Sequence, residues 1–184
     1  MIDRRSMRAI GVFCGSSAGI DPAYTTAARK LGELLAQQNL TLIYGGAQIG
    51  LMGVVADATL AAGGRVIGVI PHLLMDREIG HPGLTELRVV ETMAQRKEVM
   101  MELSDAFIAL PGGIGTLDEL FEVWTATQLG LQAKPCGLLN VNGYFDWLVD
   151  FLDRAVAQGF LRAQHRRELR QSDDAAALLR QLFA

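Results

Sequence analysis

The residues from Pro111 to Glu119, PGGIGTLDE, are the densest group of chemically usable positions in the chain. Glycine lacks a Cβ, so the backbone at Gly112, Gly113 and Gly115 can approach a ligand closely and adopt positive φ. A helix that opens after such a loop offers N–H groups without intrahelical partners and the positive end of its dipole, a setting that binds phosphate. The hydroxyl of Thr116 can cap that helix or donate to a phosphate oxygen. Glu119 follows one helical turn later, on the same face. A carboxylate there can stabilise a developing positive charge or take a proton from water. A plain strand-to-helix turn is the competing reading of the same glycines.

Two commoner phosphate motifs do not fit. A P-loop requires lysine and a hydroxyl residue after its last glycine, and no lysine follows Gly115. A dinucleotide fingerprint built on Gly113 and Gly115 requires a small residue where Asp118 stands. ATP hydrolysis and hydride transfer both lose ground. Two further glycine loops join the first. Tyr44 to Gly53 reads YGGAQIGLMG, and Gly15-Ser16-Ser17 brings hydroxyls that suit a sugar or phosphate, though it is also ordinary loop composition. Arg96 and Lys97 open a predicted helix and fit either an anion site or two solvated helix charges. Glu78 fits a hydrogen-bond acceptor or a solvated loop charge. His72 and His81 lie in or near the same loop and are taken as structural or exposed.

The elements that must position these residues follow from periodicity. Short apolar runs at 9–14, 40–44, 66–70, 87–90, 105–110 and 136–140 read as strands. Between them lie segments of helical period, including one opening at Asp21-Pro22 and others at 51–62, 93–103, from Thr116 to about Leu129, 144–157 and 173–183. Residues 72–85 read as a functional loop with one short helix. Continuous apolar strands alternating with helices imply an α/β fold, a parallel sheet with helices on both faces. Ligands of such sheets bind at the carboxyl ends of the strands, where all three glycine loops fall.

At 184 residues the chain is expected to form one domain, 1–184, with a full core. Its net charge of −3 argues against nucleic acid as a partner. The arginines at 162, 166, 167 and 170 read as a solvated helix face. Cys14 and Cys136 are far apart and sit in apolar runs, so they read as buried spacers rather than a disulfide or metal pair. No zinc site and no cofactor are expected. The absence of a signal-like segment and of a run approaching a membrane span points to a cytoplasmic protein with no membrane partner. Leu117, Leu120, Phe121, Trp124 and Leu129 give one helix more apolar surface than a single stripe needs, which burial on both the sheet and a second copy explains.

In combination, PGGIGTLDE, Met93, Arg96-Lys97, CGSS at 14–17 and YGG…GLMG at 44–53 resemble the Lonely Guy family, phosphoribohydrolases that release free bases from nucleoside 5′-monophosphates. The resemblance runs from about residue 9 to about residue 160. It implies a Rossmann-like three-layer sheet, a nucleotide substrate, and a homodimer with active sites near the subunit interface. The family's catalytic pair falls on Arg96 and Glu119. Its nucleotide-binding positions fall on Glu78, Lys97, Gly113, Ile114, Gly115, Thr116 and Thr125, and Ser16 and Gly112 are added from their loops. Three residues depart from the family's pattern: Ala94 stands where histidine is common, Ala47 in a stretch often all glycine, and Ala126 where a large residue is common. They bear on base preference and pocket shape. The older label of lysine decarboxylase for such sequences finds little support, because Lys30, Lys97 and Lys134 are the only lysines and no pyridoxal phosphate site is evident. A non-catalytic nucleotide carrier of the same fold is the main alternative, and fold alone does not separate the two.

Overall fold

The computed structural model describes residues 8–184 apart from Ile79, and of residues 76–78 the backbone alone. In chain order the elements are β1 (Ala9–Phe13), α1 (Pro22–Gln37), β2 (Thr41–Tyr44), α2 (Gly50–Ala61), β3 (Val66–Pro71), α3 (His72–Glu78), β4 (Glu86–Val90), α4 (Met93–Leu103), β5 (Ala106–Ala109), α5 (Ile114–Gln128), β6 (Cys136–Leu139), α6 (Asp146–Ala157), α7 (Ala163–Glu168), β7 (Leu169–Ser172) and α8 (Ala175–Phe183). The strands form one sheet in the order β4-β3-β2-β1-β5-β6-β7, and every pairing is parallel. The chain winds outward from β1 to β4, then restarts at β5 on the other side of β1. The order therefore reverses between β1 and β5, and the loops leaving these strands diverge to open a crevice.

Side-chain alternation assigns each face its core. In β1, Ile10 and Val12 join Leu42, Tyr44 and Ile108 beneath α1, α2 and α8. Ala9 and Phe13 face the other way, with Ile43, Phe107 and Ala109 beneath α4, α5 and α6. Both faces are covered, so β1, β3, β5 and β6 are buried along their whole length, as the unbroken apolar runs imply. The edge strands are polar. In β4, Arg88 Nε donates to Glu86 Oε1 at 2.7 Å, and in β7 only Leu169 is fully buried. At the amino end of β5, Asp105 Oδ2 accepts from the amides of Arg8 and Ala9 at 2.8 and 3.0 Å and locks the start of β1.

Helix starts have identifiable causes. Asp21 accepts from Ala23 N, Thr92 from Gln95 N, and Asp174 from Ala177 N, capping α1, α4 and α8. Residues 72–78 make the short helix expected within the loop. Two points differ from the sequence expectation. The chain after Arg162 forms α7 and β7 before its last helix. β7 offers LRQS, too short and polar to register as a strand until β6 supplies its pairing. Finally, α5 begins at Ile114 with Gly113 as its cap residue, so Gly115 and Thr116 belong to its first turn and Thr116 does not cap it.

Candidate active site

At the carboxyl ends of β1, β2 and β5 the three glycine loops meet. Gly15 N donates to Pro111 O at 3.1 Å, and Leu51 N donates to Gly15 O at 3.0 Å. The Tyr144 hydroxyl, which sequence reasoning placed only at a helix start, donates to Gly112 O at 2.6 Å and braces the loop before α5. Close approach explains two of the glycines. A Cβ on Gly112 would collide with the Thr116 side chain, and a Cβ on Gly50 would collide with the backbone of Ser16. By contrast, a Cβ on Gly113 or Gly115 would meet nothing within 4 Å, so those two residues border open space.

That space is a cleft in two lobes. One, of about 290 Å³, is lined by Cys14, Ser16, Arg96, Thr116 and Glu119, with Gly113, Ile114 and Gly115 along one wall. The second, of about 320 Å³, lies between loop 15–19 and residues 111–113, with Tyr24 and Tyr144 at its back. Gly15, Ser16 and Gly113 line both lobes. No side chain caps α5, so its first-turn amides and the positive end of its dipole serve the cleft.

Arg96 and Glu119 are buried polar residues of the first lobe, 5 % and 9 % exposed. Burying an arginine is costly unless its donors are engaged. Arg96 Nη2 donates to the carbonyl of Gly45 at 3.1 Å, Nη1 reaches Met93 Sδ at 3.8 Å, and Nε has no partner among the described residues. A Cβ on Gly45 would collide with the guanidinium, so this position admits only glycine while Arg96 lies there. The signal was present as the Tyr44-Gly45-Gly46 strand end, but its service to Arg96 is a tertiary fact. Cys14 lies within the fields of both charges. Burial foremost, then the charge of Glu119, pushes its thiol up, against a smaller pull from Arg96. Cys14 is therefore a protonated wall residue and not a nucleophile.

The remaining sequence candidates fall in three places. Ser16, Gly112, Gly113, Ile114, Gly115 and Thr116 line the cleft. Lys97 does not face it. Its Nζ sits between Asp118, at 3.0 Å, and Glu122, and these partners, Glu122 foremost, raise its pKa and keep it an ammonium. Thr125 lines a separate groove of about 890 Å³ between α4 and α5, together with Ala94 and Ala126. Asp118 borders both the groove and the cleft. The side chain of Glu78 lies outside the described residues. His72 is exposed, 3.8 Å from Glu91, whereas His81 is buried and bonded to Asp57. Trp124 is buried and donates to His165 O at 3.3 Å, and Phe121 stacks on it with ring centroids 6.2 Å apart. Among the described residues no group of three or more His, Cys, Asp and Glu is placed to hold a metal ion, and no helix is long and apolar enough to cross a membrane.

This fold and cleft define a class: doubly wound α/β proteins that bring glycine-rich loops and a helix N-terminus to the switch point of a parallel sheet. Comparison with known proteins narrows it. Residues 52–182 match the family described as "possible lysine decarboxylase". The chain is 50% identical over 173 residues to the cytokinin riboside 5′-monophosphate phosphoribohydrolase LOG7 of Arabidopsis thaliana, covering 94% of this chain and 80% of that protein. It is 48% identical over 181 residues to the probable cytokinin riboside 5′-monophosphate phosphoribohydrolase LOGL9 of Oryza sativa subsp. japonica, covering 98% of this chain and 80% of that protein. Among solved structures, the molybdenum cofactor carrier protein of Chlamydomonas reinhardtii superposes with a TM-score of 0.72 at 23% identity, covering 96% of this chain and 98% of the carrier. At that identity the likeness is one of fold alone. The chain belongs to the Lonely Guy family, the group of the cytokinin riboside 5′-monophosphate phosphoribohydrolases.

Proposed function

We propose that this protein hydrolyses the N-glycosidic bond of nucleoside 5′-monophosphates, adenosine 5′-monophosphate or its prenylated derivatives, to free base and ribose 5-phosphate. One observation carries the reading: Arg96 and Glu119, the two buried charged residues of the cleft, line the same lobe as the uncapped first turn of α5. The α5 amides and Thr116 suit the 5′-phosphate. The bond between the base nitrogen and the anomeric carbon breaks with positive charge growing on the sugar. Glu119 is suited to stabilise that charge or to take a proton from the attacking water. The water oxygen bonds to the anomeric carbon, its hydroxyl stays on the ribose, and its other proton ends on the departing base. Arg96 is assigned to orient Glu119 or steady the base. The overall change needs only water.

The same reading takes residues 1–184 as one domain working as a cytoplasmic homodimer. The groove between α4 and α5 supports the dimer. Met101, Phe121, Leu129 and Leu131 line it, and the last two side chains are 66% and 77% exposed. A second copy covering this groove would enclose Thr125 and adjoin the cleft through Asp118, which borders both.

Incubation with adenosine 5′-monophosphate and its N6-isopentenyl derivative, with adenosine and ATP as controls, tests the reaction by chromatography of base and ribose 5-phosphate. Release from the monophosphates alone is expected. Tight binding without release would instead identify a carrier.

A further inference from the structure

The loop after α3 holds an imidazole that the cleft does not use. His81 is 5 % exposed, deep for a loop of this polarity. Its Nδ1 accepts from the amide of Gly83 at 3.1 Å, which leaves the ring proton on Nε2. Nε2 then donates to Asp57 Oδ1 at 2.9 Å. Both ring nitrogens are satisfied in the neutral form. Asp57 belongs to α2, and its side chain is 66% exposed.

The backbone of the same loop grips a different element. His81 N donates to Gly46 O at 3.0 Å, and Gly80 forms an antiparallel bridge with Ala47. One residue earlier, Gly45 O accepts from Arg96 Nη2 at 3.1 Å. The turn 45–47 is therefore held by Arg96 on one side and by the His81 loop on the other. Gly46 lies at φ +78°, and neither it nor Gly45 has a side chain to anchor it. The direction in which the Gly45 carbonyl points must come from bonds made to its neighbours. Beside that carbonyl, the Met93 thioether lies 3.8 Å from Arg96 Nη1, a weaker acceptor than a carbonyl oxygen.

We infer that His81, held by Asp57, is a positioning residue for Arg96: it fastens the loop to α2 and thereby keeps the Gly45 carbonyl aimed at the guanidinium. The inference rests on the reading of Arg96 as part of the catalytic pair. A neutral imidazole suits this task because it donates to α2 and accepts from its own loop at once. No aliphatic side chain of similar size does both.

His81→Ala risks a general loss of folding, so the exposed partner is the better probe. Asp57→Ala should lower kcat for adenosine 5′-monophosphate cleavage by roughly ten- to a hundredfold, the scale on which small misplacements of a catalytic group act. Its melting temperature should stay near that of the wild type. Asp57→Asn retains an acceptor oxygen and should stay close to wild-type kcat. In an Arg96→Ala background, Asp57→Ala should cause no further fall. An unchanged kcat in Asp57→Ala, or an equal fall in both backgrounds, overturns the inference. Nitrogen NMR of the arginine side chains, with the Arg96 signals assigned through Arg96→Lys, gives a readout that needs no substrate. Slowly exchanging Arg96 Nη protons in the wild type should become averaged in Asp57→Ala, and their persistence overturns the clamp. Wild-type protein that releases no base would sink the proposed reaction, while the NMR comparison would still decide the positioning role.

Discussion

Glu119 and Arg96 carry different risks as single residues. Glu119→Gln keeps the shape of the side chain and removes its charge. The expected outcome is a fall in kcat of about 10²–10⁴-fold, the usual worth of general-base help, with nucleotide binding partly retained in calorimetry. Wild-type turnover in that variant would remove Glu119 from the reaction. Gly45→Ala adds one methyl group at a residue that lines the same lobe as Arg96. Because that methyl would occupy the position of the Arg96 guanidinium, turnover should fall nearly as far as in Arg96→Ala. A Gly45→Ala enzyme with normal kcat would mean that Arg96 is free to work elsewhere. For Arg96→Ala itself, a raised KM with normal kcat would mark a ground-state binding role, and a lowered kcat the orienting role.

At the scale of elements, the first turn of α4 sets the height of Arg96. Thr92 accepts from Gln95 N at 3.1 Å, and Gln95 Oε1 in return accepts from Glu91 N at 2.9 Å. Thr92→Ala removes the cap and should cost about 1 kcal/mol, a fall of roughly 2–4 °C in melting temperature for a chain of this size. Scanning calorimetry checks it, and an unchanged melting temperature would mean that packing alone holds the turn. The caps of α1 and α8 respond to acid. The Ala23 amide foremost, then Asn142, lowers the pKa of Asp21 below its ordinary 3.8, and the Ala177 amide foremost, then Lys30, does the same for Asp174. Both carboxylates therefore stabilise the fold fully above that value, and the contribution disappears as pH falls through their depressed folded-state values. Both groups are exposed, so the effect should be modest and should shrink with added salt. Thermal melts below pH 4 with Asp174→Asn as the reference would reveal it as a smaller acid sensitivity in the variant.

For the whole molecule, the testable property is association. The groove between α4 and α5 presents Leu129, Leu131 and Met101 in one place, the two leucines largely exposed. Sedimentation should find a dimer at micromolar concentration, and Leu131→Arg should shift it toward monomer. A wild-type monomer would count against the second copy.

Much of this was legible before folding. Unbroken apolar strands announced a parallel sheet covered on both faces, because only burial on both sides tolerates such runs. Glycines after three of those strands pointed to a ligand site at the carboxyl ends of the strands. Arg96 and Glu119 stood out once the motifs were read together, and the structure brings both into one cleft. The sequence left β7 hidden, since four residues with one buried side chain become a strand only when β6 provides hydrogen bonds. It also left the partners of single side chains open. The turn of Lys97 toward Asp118 and Glu122, the fit of Arg96 against Gly45 and the bond of His81 Nε2 to Asp57 join residues 21 or more positions apart. Periodicity reports which face of an element is apolar and local motifs report how it begins and ends. Which polar groups meet across elements is decided by how those elements pack, and that is where the tertiary structure had the only say.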